Sequence, residues 1–312
     1  MGYKLRNLPT TQSSDAELAD YMEYQCLMSD EKSYSTTSGN SSMGILYDDN
    51  TDAGIEGNEM NYDFCEALAE IDDREQKSNG KYPFIAEIDT IKLKEGIKPY
   101  VLDIYKFLLL ATRENMKSGK VANNLDGTEL FERLCAAVIK NYFGPNSKAY
   151  VFGTGAVDYK PFHEKVQDFL DTIQEGKYFF RHPDGDLGQQ KDGKIDVVFF
   201  IPFADNNKGQ FMGFGQCKTG TNWRASISQL IPSAFSESYI QPPLAFIPIT
   251  LFFVSESFTE NWEELTRNSR GIIFDRSRIM EYIPDKLDAE LLSNIKLWNE
   301  GVIDRDQRNL HK

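Results

Sequence analysis

The amino-acid sequence predicts an α/β (α+β) fold, in which helices flank a central mixed β-sheet and a mainly helical acidic region precedes it. Residues 194–203 and 210–218 are apolar segments joined by a polar turn, which is typical of a β-hairpin. Residues 247–254 are almost wholly apolar, as expected of a strand that is covered on both faces. Helical patterns of apolar residues come before and after these strands, so helices are expected to flank the sheet.

Residues 121–312 form the second of two predicted domains, in which helices and strands are interspersed. Asp126 and Glu129 have the spacing of a capping box at the start of its first helix. Pro232 must kink or end the third helix. In chain order we predict helix 127–143, strand 149–152, helix 161–175, strands 194–203 and 210–218, helix 223–237, strands 247–254 and 271–274, and helix 285–299.

Residues 1–120 are predicted to form an acidic, mainly helical accessory region. Ser14 and Asp15 are residues typical of a helix N-terminus. Residues 29–60 are rich in Ser, Thr, Asn, Gly and Asp and have little periodicity, which predicts a flexible loop. The other elements expected here are helices at 16–28, 62–77 and 100–117 and an extended segment within 82–94.

Acidic residues are concentrated near the N-terminus of the 312-residue chain. The net charge is −14, and residues 1–75 contain 17 acidic and four basic residues, so the remainder of the chain is nearly neutral. A nearly neutral domain binds phosphates only through local Lys and Arg residues. Strong non-specific binding to DNA is therefore not expected. The acidic segment is interpreted either as a partner-docking surface or as a DNA-mimicking guard of the second domain.

Cysteine, histidine and apolar patterns predict a cytoplasmic protein. The four cysteines include no CxxC pair and the three histidines have no ligand spacing, which disfavours a disulfide framework or a zinc site. No apolar run is long enough to span a membrane. The N-terminus also lacks the apolar segment of a secretory signal. No membrane association is expected.

The stretch from residue 193 to residue 218 gives the strongest indication of chemistry. Asp196 lies near the start of the first hairpin strand, and the second strand ends in Gln216, Cys217 and Lys218. Side chains alternate along a strand, so Gln216 and Lys218 share one face and Cys217 points to the other. An acid, an amide oxygen and an amine on one face suit a divalent metal beside a water-orienting cation.

This pattern resembles the restriction-endonuclease-like, or PD-(D/E)XK, nuclease superfamily. The signature of that superfamily is an Asp and then, on the next strand, Glu or Gln, any residue, and Lys. The Gln form is similar to the methyl-directed restriction nucleases of bacteria, which also place a Glu on an earlier helix, often within Phe-Glu-x-Leu. Phe131-Glu132-Arg133-Leu134 matches that motif, and the resemblance covers roughly residues 125–285.

The resemblance implies a Mg²⁺-dependent nuclease, with Mn²⁺ as the alternative metal. Its ligands would be Glu132, Asp196, the side-chain oxygen of Gln216 and the main-chain carbonyl of Cys217. Lys218 would orient the attacking water and stabilise charge in the transition state. Glu132, Asp196, Gln216 and Lys218 are thus the predicted catalytic residues.

Structural explanations stay open for the same residues. Glu132 has apolar neighbours on its helix, where a carboxylate needs a partner, but an ordinary glutamate at the edge of an amphipathic helix is the alternative. Asp196 could be a strand-start acid that faces water, and Lys218 a strand-end lysine whose ammonium reaches solvent. The thiol of Cys217 is assigned to core packing.

Two further groups of acids compete for the metal. Glu129 is an alternative to Glu132, although the capping box and a pair with Arg133 explain it without a metal. Asp184 and Asp186 lie in a Gly-rich loop, where they are more typical of turns, and they are kept as fallback ligands.

Four residues are predicted to contact nucleic acid. Arg224 and Gln229 follow the motif on the next predicted helix, where Arg224 would contact a phosphate and Gln229 would help to position water. Arg276 and Arg278 belong to a late basic cluster that either follows a DNA backbone or balances nearby acids. For all four, an ordinary structural or surface role is an equal alternative.

The resemblance implies an endonuclease for double-stranded DNA, similar to nuclease subunits of bacterial anti-phage defence or restriction systems that an ATPase or helicase partner controls. Alternatives are a DNA repair or recombination nuclease, a non-catalytic scaffold subunit, which Gln216 in place of a carboxylate favours, and, less supported, a ribonuclease. Cutting both strands in one event needs two active sites, so a homo-oligomer is the expected assembly.

Overall fold

The computed structural model of the chain describes residues 4–5, 7–10, 12–42, 56–153, 160–179, 193–205 and 207–310. Its helices are α1 (Asp15–Met28), α2 (Thr36–Ser42), α3 (Glu56–Lys77), α4 (Pro99–Arg113), α5 (Gly127–Phe143), α6 (Phe162–Ile173), α7 (Pro232–Tyr239), α8 (Trp262–Ser269), α9 (Arg276–Glu281) and α10 (Ala289–Leu310). Its strands are β1 (Ser33–Ser35), β2 (Phe84–Ala86), β3 (Thr90–Leu93), β4 (Val121–Ala122), β5 (Leu125–Asp126), β6 (Lys148–Val151), β7 (Lys177–Tyr178), β8 (Val197–Ile201), β9 (Phe211–Lys218), β10 (Ile240–Gln241), β11 (Ile249–Val254) and β12 (Gly271–Phe274).

The main sheet contains the predicted hairpin and the predicted apolar strand. Within the described residues it has five strands, in the order β12-β11-β9-β8-β6. β8 pairs antiparallel with β6 and with β9, whereas β11 runs parallel to both β9 and β12. The fold is therefore of the mixed α/β (α+β) class, with helices around a mixed sheet, as the sequence predicts.

The alternation of side chains along β8 divides the apolar residues between the two faces of the sheet. Val197 and Phe199 belong to a core that also contains residues of α4, α5 and α10. Val198 and Phe200 belong to a second core, shared with α6 and α7. The hairpin is thus buried on both faces, which explains why its strands are apolar without clear alternation in polarity.

Helix α5 lies against the first face of the sheet and supplies one predicted ligand. Asp126 caps the helix by accepting a hydrogen bond from the main-chain N–H of Thr128 at 2.8 Å, so the predicted capping box with Glu129 is wrong. A Cβ at Gly127 would lie 2.6 Å from the indole of Trp298, so glycine at this position allows α10 to pack closely.

The N-terminal helices share the core of the first sheet face. Buried residues of α1, α3 and α4 lie in the same apolar cluster as those of α5 and α10. A buried ion cluster also crosses the predicted boundary at residue 120, because Arg276 of α9 pairs with Asp20 of α1. The boundary between 1–120 and 121–312 is therefore a change in composition within one continuous core.

Several predicted elements differ from the structure. Residues 223–237 do not form one helix: a 3₁₀ turn spans Arg224–Ser226, and Pro232 begins α7 instead of kinking it. Proline suits the first turn of a helix, where its missing N–H is not needed. The predicted flexible loop at 29–60 contains β1 and α2, and its residues 43–55 lie outside the described residues.

The structure adds helices α8 and α9, for which no helix was predicted. Both are short, and each follows a strand of the parallel half of the main sheet. In the part of the chain that the structure describes, no helix has the length and apolar character needed to cross a membrane.

Candidate active site

Asp196 is fixed at the junction of three strands. Its main-chain carbonyl accepts hydrogen bonds from the N–H groups of Phe152 and Gly153, at 2.7 and 2.9 Å, just after β6. Its side-chain Oδ2 accepts a hydrogen bond from the main-chain N–H of Cys217 at 2.6 Å. The carboxylate is only 9% exposed, so it is not the solvent-facing strand-start acid of the alternative interpretation.

Glu132 and Asp196 border the same small space, which a glycine leaves open. A Cβ at Gly153 would lie 3.0 Å from Oε2 of Glu132 and 3.2 Å from Oδ1 of Asp196. Glu132 is 7% exposed, whereas Glu129 on the same helix is exposed to solvent. The structure thus brings Glu132, and not Glu129, next to Asp196.

The side-chain amide of Gln216 is fully buried and has no hydrogen bond to any described residue. Its side chain is 0% exposed, and neither Oε1 nor Nε2 has a hydrogen-bond partner among the described residues. Burying a polar group without a partner costs about 1–3 kcal/mol. Gln216 immediately precedes Cys217, the residue whose main-chain N–H holds the carboxylate of Asp196.

Cys217 offers main-chain groups to the site and its thiol to the core. The thiol belongs to the core of the first sheet face, where it neighbours Cys135. Burial, reinforced by that neighbouring thiol, raises the pKa of Cys217 well above its usual range, so the side chain is neutral. In an extended strand the N–H and C=O of one residue point to the same side. The carbonyl of Cys217 therefore points towards β8, the side on which its N–H meets Asp196.

Lys218 ends β9 with a half-buried side chain. Its main-chain carbonyl accepts a hydrogen bond from the N–H of Ser255 at 3.3 Å, which ties the end of β9 to the end of β11. Its ammonium forms no ion pair with any described residue. A positive charge without a counter-ion at the end of this strand remains available to an anionic ligand.

The donors present here suit a hard divalent cation. In the described ranges no three His, Cys, Asp or Glu side chains come together as a metal site. The two carboxylates beside Gly153 would instead be completed by neutral oxygens, the amide of Gln216 and the carbonyl of Cys217. Mg²⁺ prefers oxygen donors of these types, and the unpaired amide is the feature that a bound cation would satisfy.

Arg276 cannot serve as the predicted phosphate contact. Its guanidinium is 1% exposed and pairs with Asp20 through both nitrogens, at 2.7 and 3.1 Å. Its Nε also donates to the main-chain carbonyl of Ser255 at 3.0 Å. The sequence could not reveal that its partner lies more than 250 positions away. The prediction for Arg276 is therefore corrected to a buried structural role.

Arg224, Gln229 and Arg278 lie nearer to the surface. Arg224 has a half-exposed side chain, stacks over Trp223 at 4.5 Å and pairs with Glu256 at 3.2 Å. Arg278 is half-buried, donates to the carbonyl of Ile273 at 2.8 Å and lies over an indole ring. Gln229 is exposed and lies after the 3₁₀ turn, not on a helix. Contacts of these three residues with nucleic acid stay predictions, and the fallback ligands Asp184 and Asp186 lie outside the described residues.

Two residues beside the site were missed from the sequence. Gly153 gives the carboxylates their shared space, and Lys165 of α6 donates to the carbonyls of Gly153 and Phe152, at 2.8 and 3.3 Å. No local motif marks either residue, because each is defined by contacts between elements that are distant in sequence.

Comparisons of this chain with protein-family models, with curated proteins and with solved structures found no match.

Proposed function

We propose that this protein is a metal-dependent endodeoxyribonuclease with a restriction-endonuclease-like core. The observation that carries the proposal is the convergence of Glu132 and Asp196 on the space beside Gly153. The amide of Gln216, which is buried and has no partner among the described residues, belongs to the residue before Cys217, whose N–H holds Asp196. Lys218 adds a cation without a counter-ion among the described residues. Hydrolysis of a phosphodiester needs these same components: oxygen ligands for a cation, and a positive charge near the phosphate.

The order of elements supports the restriction-endonuclease-like core. Helix α5 precedes the antiparallel strands β6, β8 and β9, and the parallel strands β11 and β12 complete the sheet. The acid begins the second of the antiparallel strands, and Gln216 and Lys218 end the third. This is the arrangement in which the Asp and Gln-x-Lys motif would act together.

Each side chain has a distinct role in the proposed reaction. Glu132, Asp196 and Gln216 would hold Mg²⁺ or Mn²⁺, which when bound polarises the phosphate and lowers the pKa of water. The N–H of Cys217 keeps the carboxylate of Asp196 oriented without any need for the metal. Lys218 would orient the attacking water and stabilise the charge that develops on the phosphate oxygens.

Plasmid cleavage tests the proposal directly. Wild-type protein with Mg²⁺ or Mn²⁺ should relax or linearise a supercoiled plasmid, and Asp196→Asn and Lys218→Met should each lower the rate at least ~100-fold. Asp205→Asn is the matched control, because Asp205 is exposed in the loop at the opposite end of the same hairpin. Cleavage by Asp196→Asn at the wild-type rate would refute the assignment of the site.

A non-catalytic scaffold is the second candidate. It is favoured by one observation, that the described residues bring together no three acidic, His or Cys ligands. A scaffold would cut no plasmid in either metal, and its melting temperature would not respond to Mg²⁺ or Mn²⁺. A nuclease that waits for a partner would be equally inactive alone, but its melting temperature would rise with the metal and Asp196→Asn would remove the rise.

We place the proposed nuclease in a bacterial anti-phage defence or restriction system, with double-stranded DNA as substrate and an ATPase or helicase subunit as partner. Support comes only from the Gln-x-Lys form of the motif and from the acidic N-terminal composition. A repair or recombination nuclease would use the same chemistry. Co-purification of the tagged protein with the products of neighbouring genes would distinguish the two pathways.

A further inference from the structure

A groove leads along the open edge of the main sheet to the candidate site. β6 pairs with β8 on one side, and no strand pairs with its other side within the described residues. Between α5 and α6 this edge forms the floor of a cavity of about 830 Å³. Phe152 lines the inner part of the cavity and precedes Gly153, which adjoins Glu132 and Asp196. The wall of the groove is therefore joined to the site by two consecutive residues, Phe152 and Gly153.

Positive charge predominates along this groove, although the chain as a whole is acidic. Five basic and two acidic residues line it, in a protein of net charge −14. Lys160 is neutralised by Asp168 at 2.6 Å, and Arg133 pairs with Glu290 at 3.3 Å. The other three cations are Lys140, Lys165 and Lys286.

Lys140 and Lys286 are exposed and form no ion pair with a described residue. Lys165 differs, because its ammonium is held by the carbonyls of Phe152 and Gly153 and so marks the point where the groove meets the site. Lysines along the groove, with the carboxylates of Glu132 and Asp196 beyond Lys165, suit the binding of a polyanion whose last phosphate reaches the site.

The size of the groove limits the form of that polyanion. A cavity of about 830 Å³ is of the size that encloses a small ligand, whereas a specific complex with duplex DNA buries about 1,000–2,500 Å² of protein surface. Single strands bind in narrow positive grooves and stack bases on aromatic rings. Tyr150 lines this groove, and its buried hydroxyl has no hydrogen-bond partner among the described residues.

We infer that the groove between α5 and α6 binds a short single-stranded segment of the nucleic-acid substrate and directs it to the candidate site, with Lys140 and Lys286 contacting its phosphates. This inference rests on the proposed nuclease function and adds a preference among its DNA substrates. A junction or a tailed duplex, which has an unpaired flank, should bind more tightly than a fully paired duplex.

Fluorescence anisotropy in EDTA tests the inference without cleavage. The full-length protein is titrated with a labelled single strand, a duplex with a single-stranded tail and a blunt duplex. Lys140→Glu/Lys286→Glu should bind the single strand and the tailed duplex about tenfold more weakly than wild type. Loss of two phosphate contacts should also lower the slope of log K against log salt concentration by about 1.4.

Lys117→Glu/Lys208→Glu is the matched control. Both lysines are exposed, form no ion pair with a described residue and lie outside the groove, and the change in net charge is the same. This variant should bind within about twofold of wild type. Equal weakening by the two double variants would overturn the inference, since the effect would then come from net charge alone. A blunt duplex that binds as tightly as the tailed one, and depends equally on the groove lysines, would overturn the single-strand assignment.

The outcomes separate this inference from the nuclease proposal. Plasmid cleavage that Asp196→Asn abolishes, together with binding that the groove lysines do not affect, would refute the groove and leave the nuclease standing. Binding of single strands that depends on the groove lysines, in a protein that cuts no plasmid in either metal, would support the groove and count against the nuclease. Melting temperatures of both double variants within about 2 °C of wild type would exclude misfolding as the cause.

Discussion

The molecule buries carboxylates in two regions, and the two regions treat them differently. In the ion cluster between α1, α3, α4 and α9, Asp20 and Glu23 receive guanidinium and hydroxyl donors from several helices. At the candidate site, Glu132 and Asp196 lie beside a glycine, and the neighbouring amide of Gln216 has no partner among the described residues. The first arrangement pairs its carboxylates with guanidinium and hydroxyl groups, whereas the second includes a buried amide, that of Gln216, which no described residue satisfies.

The two regions differ in how completely their buried polar groups are paired within the protein. Arg74, Arg113 and Arg276 are each at most 2% exposed, and all three pair with Asp20. Such a cluster is costly to desolvate and strongly destabilising to break. Removing a residue from it should destabilise the protein strongly, whereas replacing the amide of Gln216 with an apolar side chain should stabilise it.

Deletion of the N-terminal segment should have the largest effect. A fragment of residues 76–312 loses Asp20, Glu23 and Arg74, which leaves Arg113 and Arg276 buried without their carboxylates, and it loses the part of the shared core that α1 and α3 provide. We expect no cooperative thermal transition by circular dichroism. A folded fragment with raised nicking activity would contradict this and would support the DNA-mimicking guard.

Arg276→Met should destabilise the full-length protein by about 3–5 kcal/mol, because it leaves Asp20 with an incomplete set of partners in a buried position. Urea unfolding at pH 7 measures the change. Arg267→Met is the control, since Arg267 is exposed and pairs only with Glu263 on the surface of the same region; it should change the free energy of unfolding by less than about 0.5 kcal/mol. If both variants change the free energy of unfolding by the same amount, the buried ion cluster stabilises the protein no more than a surface ion pair does.

Acid pH sharpens the same test. Burial alone would raise the pKa of Asp20, but the guanidiniums of Arg113, Arg276 and Arg74 together hold it well below its usual range. A lowered pKa in the folded state stabilises the protein above the unfolded pKa, near 4, and this contribution is lost as the pH falls below it. Wild type should therefore lose stability below about pH 4, and Arg276→Met should lose less over the same interval.

Gln216→Met should stabilise the protein by about 1–3 kcal/mol, since it replaces an unpaired buried amide with an apolar side chain of similar length. If the site binds metal, the same change should remove most of the rise in melting temperature that Mg²⁺ or Mn²⁺ gives. Gln210→Met is the matched control, because Gln210 lies on the same hairpin, is 3% exposed and donates through Nε2 to the carbonyl of Ile173 at 3.2 Å. Its Oε1 has no partner among the described residues, so the two amides differ in the Nε2 donor.

Gln210→Met should destabilise the protein, because it leaves that carbonyl without its donor. Loss of stability in both glutamine variants would indicate that Gln216 already has a structural partner, and the comparison between the two regions would fail. If Gln216→Met stabilises the protein and the rise in melting temperature with metal is unchanged, the amide neither binds the metal nor stabilises the fold.

The sequence predicts the parts of this molecule that local chemistry determines. Helix α5 has the predicted bounds, Gln216 lies on the predicted second strand of the hairpin, and Asp196 lies immediately before its first strand, β8. Side-chain alternation also assigns the thiol of Cys217 to the core, where the structure places it. Apolar periodicity and strand-end polar residues were sufficient for these elements, since each depends on neighbours within a few positions.

Features that depend on distant contacts were not predictable in this way. The basic residues around Arg276 in the sequence indicate a surface cation, but its partner is Asp20 in the first helix. Gly153 has no motif around it, and its role exists only because the chain after β6 meets Glu132 of α5 and Asp196 just before β8. The prediction of one helix at 223–237 was wrong for another reason. Pro232 favours the start of a helix, and the residues before it form a short 3₁₀ turn.

Glu256 lies between the two regions and should give the smallest effect. It accepts hydrogen bonds from Trp223 and Arg224 beside the end of β9, and burial raises the pKa of its carboxyl although the Trp223 hydrogen bond opposes this. A raised pKa in the folded state makes ionisation cost stability as the pH rises above the unfolded value, near 4.3. The free energy of unfolding of Glu256→Gln, relative to wild type, should therefore increase from pH 4 to pH 7 in urea titrations. The exposed Glu263→Gln should show no such increase. If the difference for Glu256→Gln is also independent of pH, Trp223 and Arg224 fully offset the effect of burial on the pKa of Glu256. Glu256 would then resemble the paired carboxylates of the ion cluster.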